Sequence, residues 1–568
     1  MAAPAWAPHI QQVWGRNTFV TADSMVWFGI SILLGLLSIF FLPDFFVTGP
    51  QPSAFRFPFP GSQSIVSRSL MIALGLSSLV GVLYWINQHI LHSFLSSADE
   101  HSCYFLAECL RKGRLYVDIP PLADFFKVVH VGMRDGKWFS VYPPGWPLLW
   151  ALGLQFNVVD WLNPALSALS VFFFFLAGKK LFGRPAALLG LIFMVPTPFF
   201  MFTSAAYFSH STCLLCIGVF LYAFLRWREA YEAGKDPVGW ASLCALAVGY
   251  GLMTRYLTMA VVAGPFLLYH YLPVFFDWKG WGKGIFPFAL KRPRLRKSDW
   301  IAVGIISAFM ILILCQNYLV TGKAFRAPNK HDKSWERLGF RKDYTPADGF
   351  IYLIARFFYL ADWFPPALIA LYLVSLLGVG RTASLLQKNL FVPSVLFRYT
   401  FFFLAIAYFF YYSWGGNQFG PRYYYEVLPF LCLAAADYVV CQWREGSLMR
   451  RKFFAGLMIA TAISGIFIFA KQTDYVEESS RQRKALYELA EQTIMKPAIV
   501  FIHGFLGSRL IFSEDDAIRN SPFLDTKILY AHDLGDRNKE LMAAYMQREY
   551  YRGTYDPLLK KPSLERLS

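Results

Sequence analysis

Apolar residues in this chain come in long uninterrupted blocks separated by short polar stretches, and the pattern repeats from residue 26 to residue 470. Each block runs roughly 17 to 25 residues, enough for a helix to cross a hydrocarbon layer of about 30 Å. Strands of a lipid-facing barrel would alternate over about 10 residues instead, so the blocks are read as helices. About twelve spans are predicted, near 26–46, 68–94, 162–182, 186–203, 208–228, 238–256, 257–276, 299–320, 363–380, 395–413, 425–443 and 453–470.

The polar connections are unequal in charge. Basic residues gather at Lys179, Lys180 and Arg184, at Arg226, Arg228 and Lys235, at Lys291, Arg292, Arg294, Arg296 and Lys297, and at Arg444, Arg450, Arg451 and Lys452. Such clusters stay on the cytoplasmic side. The same parity puts 95–161, 204–210, 321–349, 414–424 and everything after about 471 on the opposite, outer face. Three regions follow: an N-terminal tail with an extra apolar segment (1–67), a transmembrane domain (68–470) with its first outer loop at 95–161, and an extracytoplasmic C-terminal domain (471–568).

Within the outer loops the period changes. Cys103, Leu106, Ala107 and Leu110 follow helical spacing up to Gly113, which describes a short amphipathic helix lying on the membrane surface. "YPPGWPLLWALGLQF" from 142 is apolar but too short to span, and its prolines and Trp146 and Trp150 suit a second interfacial helix. The tail is charged over 477–491, after which "KPAIVFIHGF" and "TKILYAHDLG" read as strands of a small α/β unit. "HGFLGS" (503–508) invites a lipase reading, but the chain has no G-x-S-x-G elbow to supply a nucleophile.

Composition agrees with the pattern. Of 568 residues 56% are hydrophobic and only 16% charged, and mean hydropathy is +0.39. The net charge of +17 sits mostly in short loops between spans, so it marks orientation and not a nucleic-acid partner. The cysteines lie mostly inside apolar runs; "CLLC" at 213–216 lacks further ligands nearby and is read as packing, and Cys103 and Cys109 pair only if their loop folds back. No removable signal peptide is expected, since the N-terminus lacks a basic stretch followed by a short apolar core and a cleavage site.

The outer face also holds the candidate chemistry. Asp99 and Glu100 are adjacent, so their side chains diverge and separate roles are expected, against the alternative that both merely favour a helix start. In "SWGGNQFGPRYYYEVLP" (413–429) glycines and proline force an ordered turn before Arg422, Tyr424 and Glu426. Arginine offers a fork of donors suited to phosphate. Arg255 lies between two apolar runs, where a charge is costly unless paired or functional. His210 stands at an outer span end, and Lys137 and Tyr142 share the loop of the acids. Carboxylates, cations and aromatic rings on one face are what cleaving a sugar from a lipid phosphate needs: a base for the acceptor hydroxyl and cations for the departing phosphate.

The segments "ADE…LAECLRKGRLY…DGKWFSVYPPGWPLL", "TRYLT", "NYLVTGKAFRAPN…ERLGF…YTPADG" and "FGPRYYYEVLP" resemble bacterial membrane glycosyltransferases of the GT-C fold, akin to protein O-mannosyltransferases and to aminoarabinose transferases that modify lipid A. The resemblance implies a multi-pass protein of the bacterial inner membrane. It further implies transfer, usually with inversion, from a polyprenyl-phosphate sugar to a lipid, glycan or protein acceptor on the outer side. By position, Asp99 corresponds to the acid taken as catalytic base and Glu100 completes the paired acids. Arg255 and Arg422, with Lys137, are assigned to the donor phosphate; Tyr142, His210, Tyr424 and Glu426 are expected to position substrate. His210 stands where some relatives carry a further acid. No cofactor is expected; a divalent metal stays open, because Asp-Glu alone is not a sufficient ligand set. A transporter or flippase of lipid-linked saccharides is the alternative, and it would need a continuous polar path through the spans.

Overall fold

Backbone groups in hydrocarbon have to bond within their own segment, and the apolar blocks accordingly fold as a bundle of helices. The computed structural model describes residues 18–44, 47, 65–278, 288–290, 295–332, 338–342, 344–377, 388–413, 415, 418–503, 517–556 and 561–567. Among these, eight helices are long and apolar enough to cross a membrane: Ser69–His89, Val159–Phe182, His210–Glu232, Val238–Phe275, Lys297–Thr321, Leu390–Phe409, Arg422–Glu445 and Leu448–Thr493. The predicted span at 186–203 is broken into two helices, Arg184–Met194 and Pro198–Ala205, which together are long and apolar enough to cross and are bent by 73°. Pro198 has no N–H to continue a helix, and Thr197 restarts one by accepting from the Phe200 N–H at 3.3 Å.

Two further predicted spans give shorter apolar helices, Val26–Phe41 and Pro366–Leu377; residues 45, 46 and 378–380 of those runs lie outside the described residues. Two others are joined in Val238–Phe275, where Arg255 is not helical (φ −144°, ψ 80°). Trp240 lies under the Arg226 guanidinium at 5.1 Å and the His270 ring is 4.3 Å from Trp227. Over the 30 residues from 240 to 270 a straight helix would advance about 45 Å. The segment therefore doubles back at Arg255, as the two predicted spans require.

The basic loops meet at one end of the bundle. Lys180 pairs with Glu229 at 2.7 Å, and Arg296 donates to the Tyr231 and Lys235 carbonyls at 2.8 and 2.7 Å; Lys291, Arg292 and Arg294 lie outside the described residues. The opposite end carries two helices too short to span, Ala98–Arg111 and Gly145–Phe156, with a small antiparallel sheet between them. In that sheet Lys137–Ser140 is central, and Val131–Arg134 pairs with it in the register Val131↔Ser140.

Leu448–Thr493 is one helix of 46 residues that runs unbroken through position 470 into the charged stretch. It leads to a sheet in which Ala498–Ile502 lies between Ile528–His532 and Glu549–Asp556, parallel to both, with Lys561–Leu567 antiparallel on the edge. The first two strands are those the sequence predicts; Gly504 to Ser508 of the "HGFLGS" motif lie outside the described residues. The sheet shares a core with the first loop: Phe105, Phe125 and Trp138 pack in one cluster with Leu486, Val500 and Phe501, the rings of Phe125 and Phe501 meeting at 6.3 Å.

Candidate active site

Ser97 opens the Ala98–Arg111 helix through a capping box. It accepts from the Glu100 N–H at 3.2 Å, and its own N–H donates to Glu100 Oε2 at 3.0 Å. Glu100 is thereby turned inward, where it is 1% exposed. It also accepts from Ser96 Oγ at 3.0 Å and from the Tyr207 N–H at 2.9 Å. Tyr207 is held in turn by Trp146, which donates to its carbonyl at 2.8 Å, and by stacking on Trp150. Glu100 thus holds the helix start against the 204–210 turn.

One residue earlier, Asp99 points about 100° away and keeps 21% of its side chain exposed. Arg422 Nη1 lies 2.7 Å from Oδ2, His130 Nε2 lies 3.3 Å from Oδ1, and the Tyr142 hydroxyl donates to Oδ1. The neighbouring acids are driven in opposite directions. Burial pushes Glu100 up. Burial would raise Asp99 as well, but Arg422, His130 and the Tyr142 hydroxyl outweigh it and hold the carboxyl well below the usual range. The two carboxyls therefore differ in acidity, Asp99 being the stronger acid.

The 413–429 segment builds the cationic side. Gly415 has φ +67°, and a Cβ there would stand 2.3 Å from the Tyr423 ring. Its carbonyl accepts from the Arg422 N–H at 3.0 Å, and a 3-10 helix, Arg422–Val427, follows. Side chains three apart eclipse in such a helix, so Tyr423 and Glu426 share a face while Tyr424 and Val427 turn into the core. Glu426, fully buried, meets Arg255 Nε at 2.7 Å and His210 Nδ1 at 2.9 Å. Arg255 sits at the fold-back of its helix, 5.9 Å from the Tyr423 ring centre and within 3.5 Å of Ser209 Oγ. Arg422 lies over the Phe208 ring at 4.4 Å. The turn 208–210 thus touches both guanidinium groups.

Asp99, Tyr142, His210, Arg255, Arg422 and Glu426 are brought together. Lys137 is not among them: the strand pair carries it away, and its ammonium donates to the Leu319 carbonyl at 2.7 Å beside the Tyr116 ring. Tyr424 is buried against Phe357 and Phe401. Its neighbour Tyr423 faces the cations instead, stacked on Tyr408 at 4.3 Å. The sequence reading also passes over His130, whose place beside Asp99 depends on the register of the 131–140 hairpin. Its carbonyl accepts from Ser102 Oγ at 2.5 Å and from the Val141 N–H at 3.1 Å.

No protein-family model matches the sequence, and no curated protein matches it significantly. Among solved structures the chain is similar to ArnT from Cupriavidus metallidurans bound to undecaprenyl phosphate, at 12% identity and a TM-score of 0.48, over 87% of this chain and 94% of that one. It is also similar to the oligosaccharyltransferase AglB from Archaeoglobus fulgidus in complex with an inhibitory peptide and a dolichol-phosphate, at 12% identity and a TM-score of 0.41, over 86% of this chain and 70% of that one. Both have the GT-C fold that the sequence motifs resemble. A complex of the archaeal protein with Zn and sulfate matches at 12% identity and a TM-score of 0.40, over 84% of this chain and 67% of that one. Among the described residues here, no three His, Cys, Asp or Glu side chains are grouped to hold a metal. Asp99 is engaged by Arg422, His130 and Tyr142, and Glu100 by the helix cap.

Proposed function

We propose that this chain is a glycosyltransferase that moves a hexose or pentose from polyprenyl phosphate to a lipid, glycan or protein hydroxyl on the outer side of a bacterial inner membrane. The observation that carries the reading is a partly open, ionised Asp99 held against Arg422, with Arg255 joined to the same cluster through the 208–210 turn and Tyr423. Asp99 takes the proton from the acceptor hydroxyl as its oxygen bonds to the anomeric carbon. The bond from that carbon to the phosphate oxygen breaks with its electron pair on the phosphate, and attack from the opposite face inverts the centre. Arg422 and Arg255 balance the charge that grows on the departing lipid phosphate. The collection of basic loops at the far end of the bundle supports an outward-facing site, and the short helix Gly145–Phe156 beside it suits a donor arriving sideways from the bilayer.

The test is Asp99→Asn in membranes, offered undecaprenyl-phosphate mannose, glucose and aminoarabinose carrying labelled sugars. Transfer is expected to fall about 10²- to 10⁴-fold, the usual worth of a general base, while undecaprenyl phosphate binds as before. Wild-type turnover by this variant removes Asp99 from the mechanism.

A further inference from the structure

The residues leading into the Asp99 helix are held by the C-terminal domain. His92 and Ser93 take φ of 54° and 49°, a conformation that side-chain-bearing residues keep only where their surroundings over-determine it. Ser93 is tied back to its own helix, its N–H donating to the Asn87 carbonyl at 2.9 Å, and the residues that follow are held by the tail. Arg483, on the long helix, donates to the Ser96 carbonyl, and Arg519 donates to the Leu95 carbonyl. The Arg519 guanidinium also lies 4.9 Å from the Phe94 ring centre, and Phe94 meets Tyr487 at 5.3 Å. His92 Nε2 is 3.5 Å from Glu477. Tyr487 donates to the Ala517 carbonyl at 2.6 Å, tying the long helix to the segment that carries Arg519.

The two arginine bonds fall on the main chain immediately before Ser97, the cap that orients Asp99. Losing one residue of helix at that cap would swing Asp99 by about 100°, away from Arg422. Docking of the tail does not need the two arginines, because the shared core around Phe125 and Phe501 already joins tail and loop. Charge-assisted bonds to two consecutive carbonyls fix direction more than they add area.

We propose that the C-terminal domain is a positioning element of the active site, in which Arg483 and Arg519 grip the main chain at Leu95 and Ser96 and so hold Asp99 facing Arg422. The inference rests on the role proposed above for Asp99. Both arginines are positioning residues, since they act through Ser97 and do not touch substrate.

The full-length protein is tested as Arg483→Ala/Arg519→Ala and as Arg483→Lys/Arg519→Lys, with the lipid-linked sugar that the wild type consumes. The alanine pair is expected to lower kcat about 100-fold, as a misplacement of about 1 Å does, with KM for the donor and binding of undecaprenyl phosphate changed less than about twofold, because Arg255 and Arg422 lie on other elements. The lysine pair, which keeps a cationic donor, is expected to recover at least about a tenth of wild-type turnover. Retained undecaprenyl phosphate binding shows that the protein has folded; if the alanine pair does not accumulate, the single variants carry the same kcat-against-KM test. Unchanged kcat in the alanine variants, or equal losses in kcat and donor binding, overturns the positioning role. Full activity of Asp99→Asn marks the other failure, that of the transferase reading itself.

Discussion

At the scale of the residue, two adjacent acids are given opposite shifts in acidity by what surrounds each. Glu100 spends its oxygens on Ser96, Ser97 and the Tyr207 N–H, whereas Asp99 faces one full cation, a histidine and a phenol. The Asp99 pKa in the folded protein lies below its unfolded value of about 3.9. Its charge therefore contributes stability above that value, and the contribution is lost only as pH falls through the lower folded pKa. The same sign governs catalysis: Asp99 stays ionised through mildly acidic pH. Tyr142→Phe removes one of the groups holding the pKa down, so the acid limb of the kcat/KM profile is expected to move to higher pH. Coincident limbs in wild type and variant would detach Tyr142 from the base. The acids themselves are legible in the sequence, but their division of labour is not: it depends on Tyr207 and Arg422, more than 100 and 300 residues downstream.

At the scale of the element, what can be read locally is what repeats locally. The spans come from the length of their apolar runs, and the first surface helix from its 3.6 spacing. The second comes from its length, prolines and tryptophans, and two of the tail strands from short apolar stretches bounded by turn residues. A change of helix type does not announce itself in the sequence, and it decides between Tyr423 and Tyr424: only the threefold repeat of the 422–427 turn sets Tyr423 with Glu426 against Arg255. The position of Lys137 likewise follows from a hairpin register that no local pattern fixes. Close approach between elements is equally invisible. Gly145 opens the second surface helix, and a Cβ there would stand 2.3 Å from Thr254 Oγ1 and 2.9 Å from the Met253 carbonyl, next to the fold-back that carries Arg255. Tyr250 already donates to the Gly145 carbonyl at 2.7 Å. Main chain cannot yield as a flexible side chain does, so Gly145→Ala is expected to cost about 1–3 kcal/mol, seen as a lower Tm, and to raise KM for the lipid donor by moving Arg255. An unchanged donor KM would mean that Arg255 does not hold the phosphate.

At the scale of the whole molecule, the sequence divides into spans and tail near position 470, whereas the long helix crosses that line without a break and packs its far end under the sheet. At ~1.5 Å per residue its 46 residues extend about 69 Å, far more than a bilayer needs. The excess acts as a shaft, and each residue along it turns whatever it carries by about 100°. Two alanines inserted after Tyr475 would rotate Arg483 and the sheet by about 200° while raising them only about 3 Å. Such a protein is expected to insert in the membrane at wild-type levels, measured by fractionation, and to transfer no sugar. The angular phase of one helix would then govern chemistry at a carboxylate it never touches.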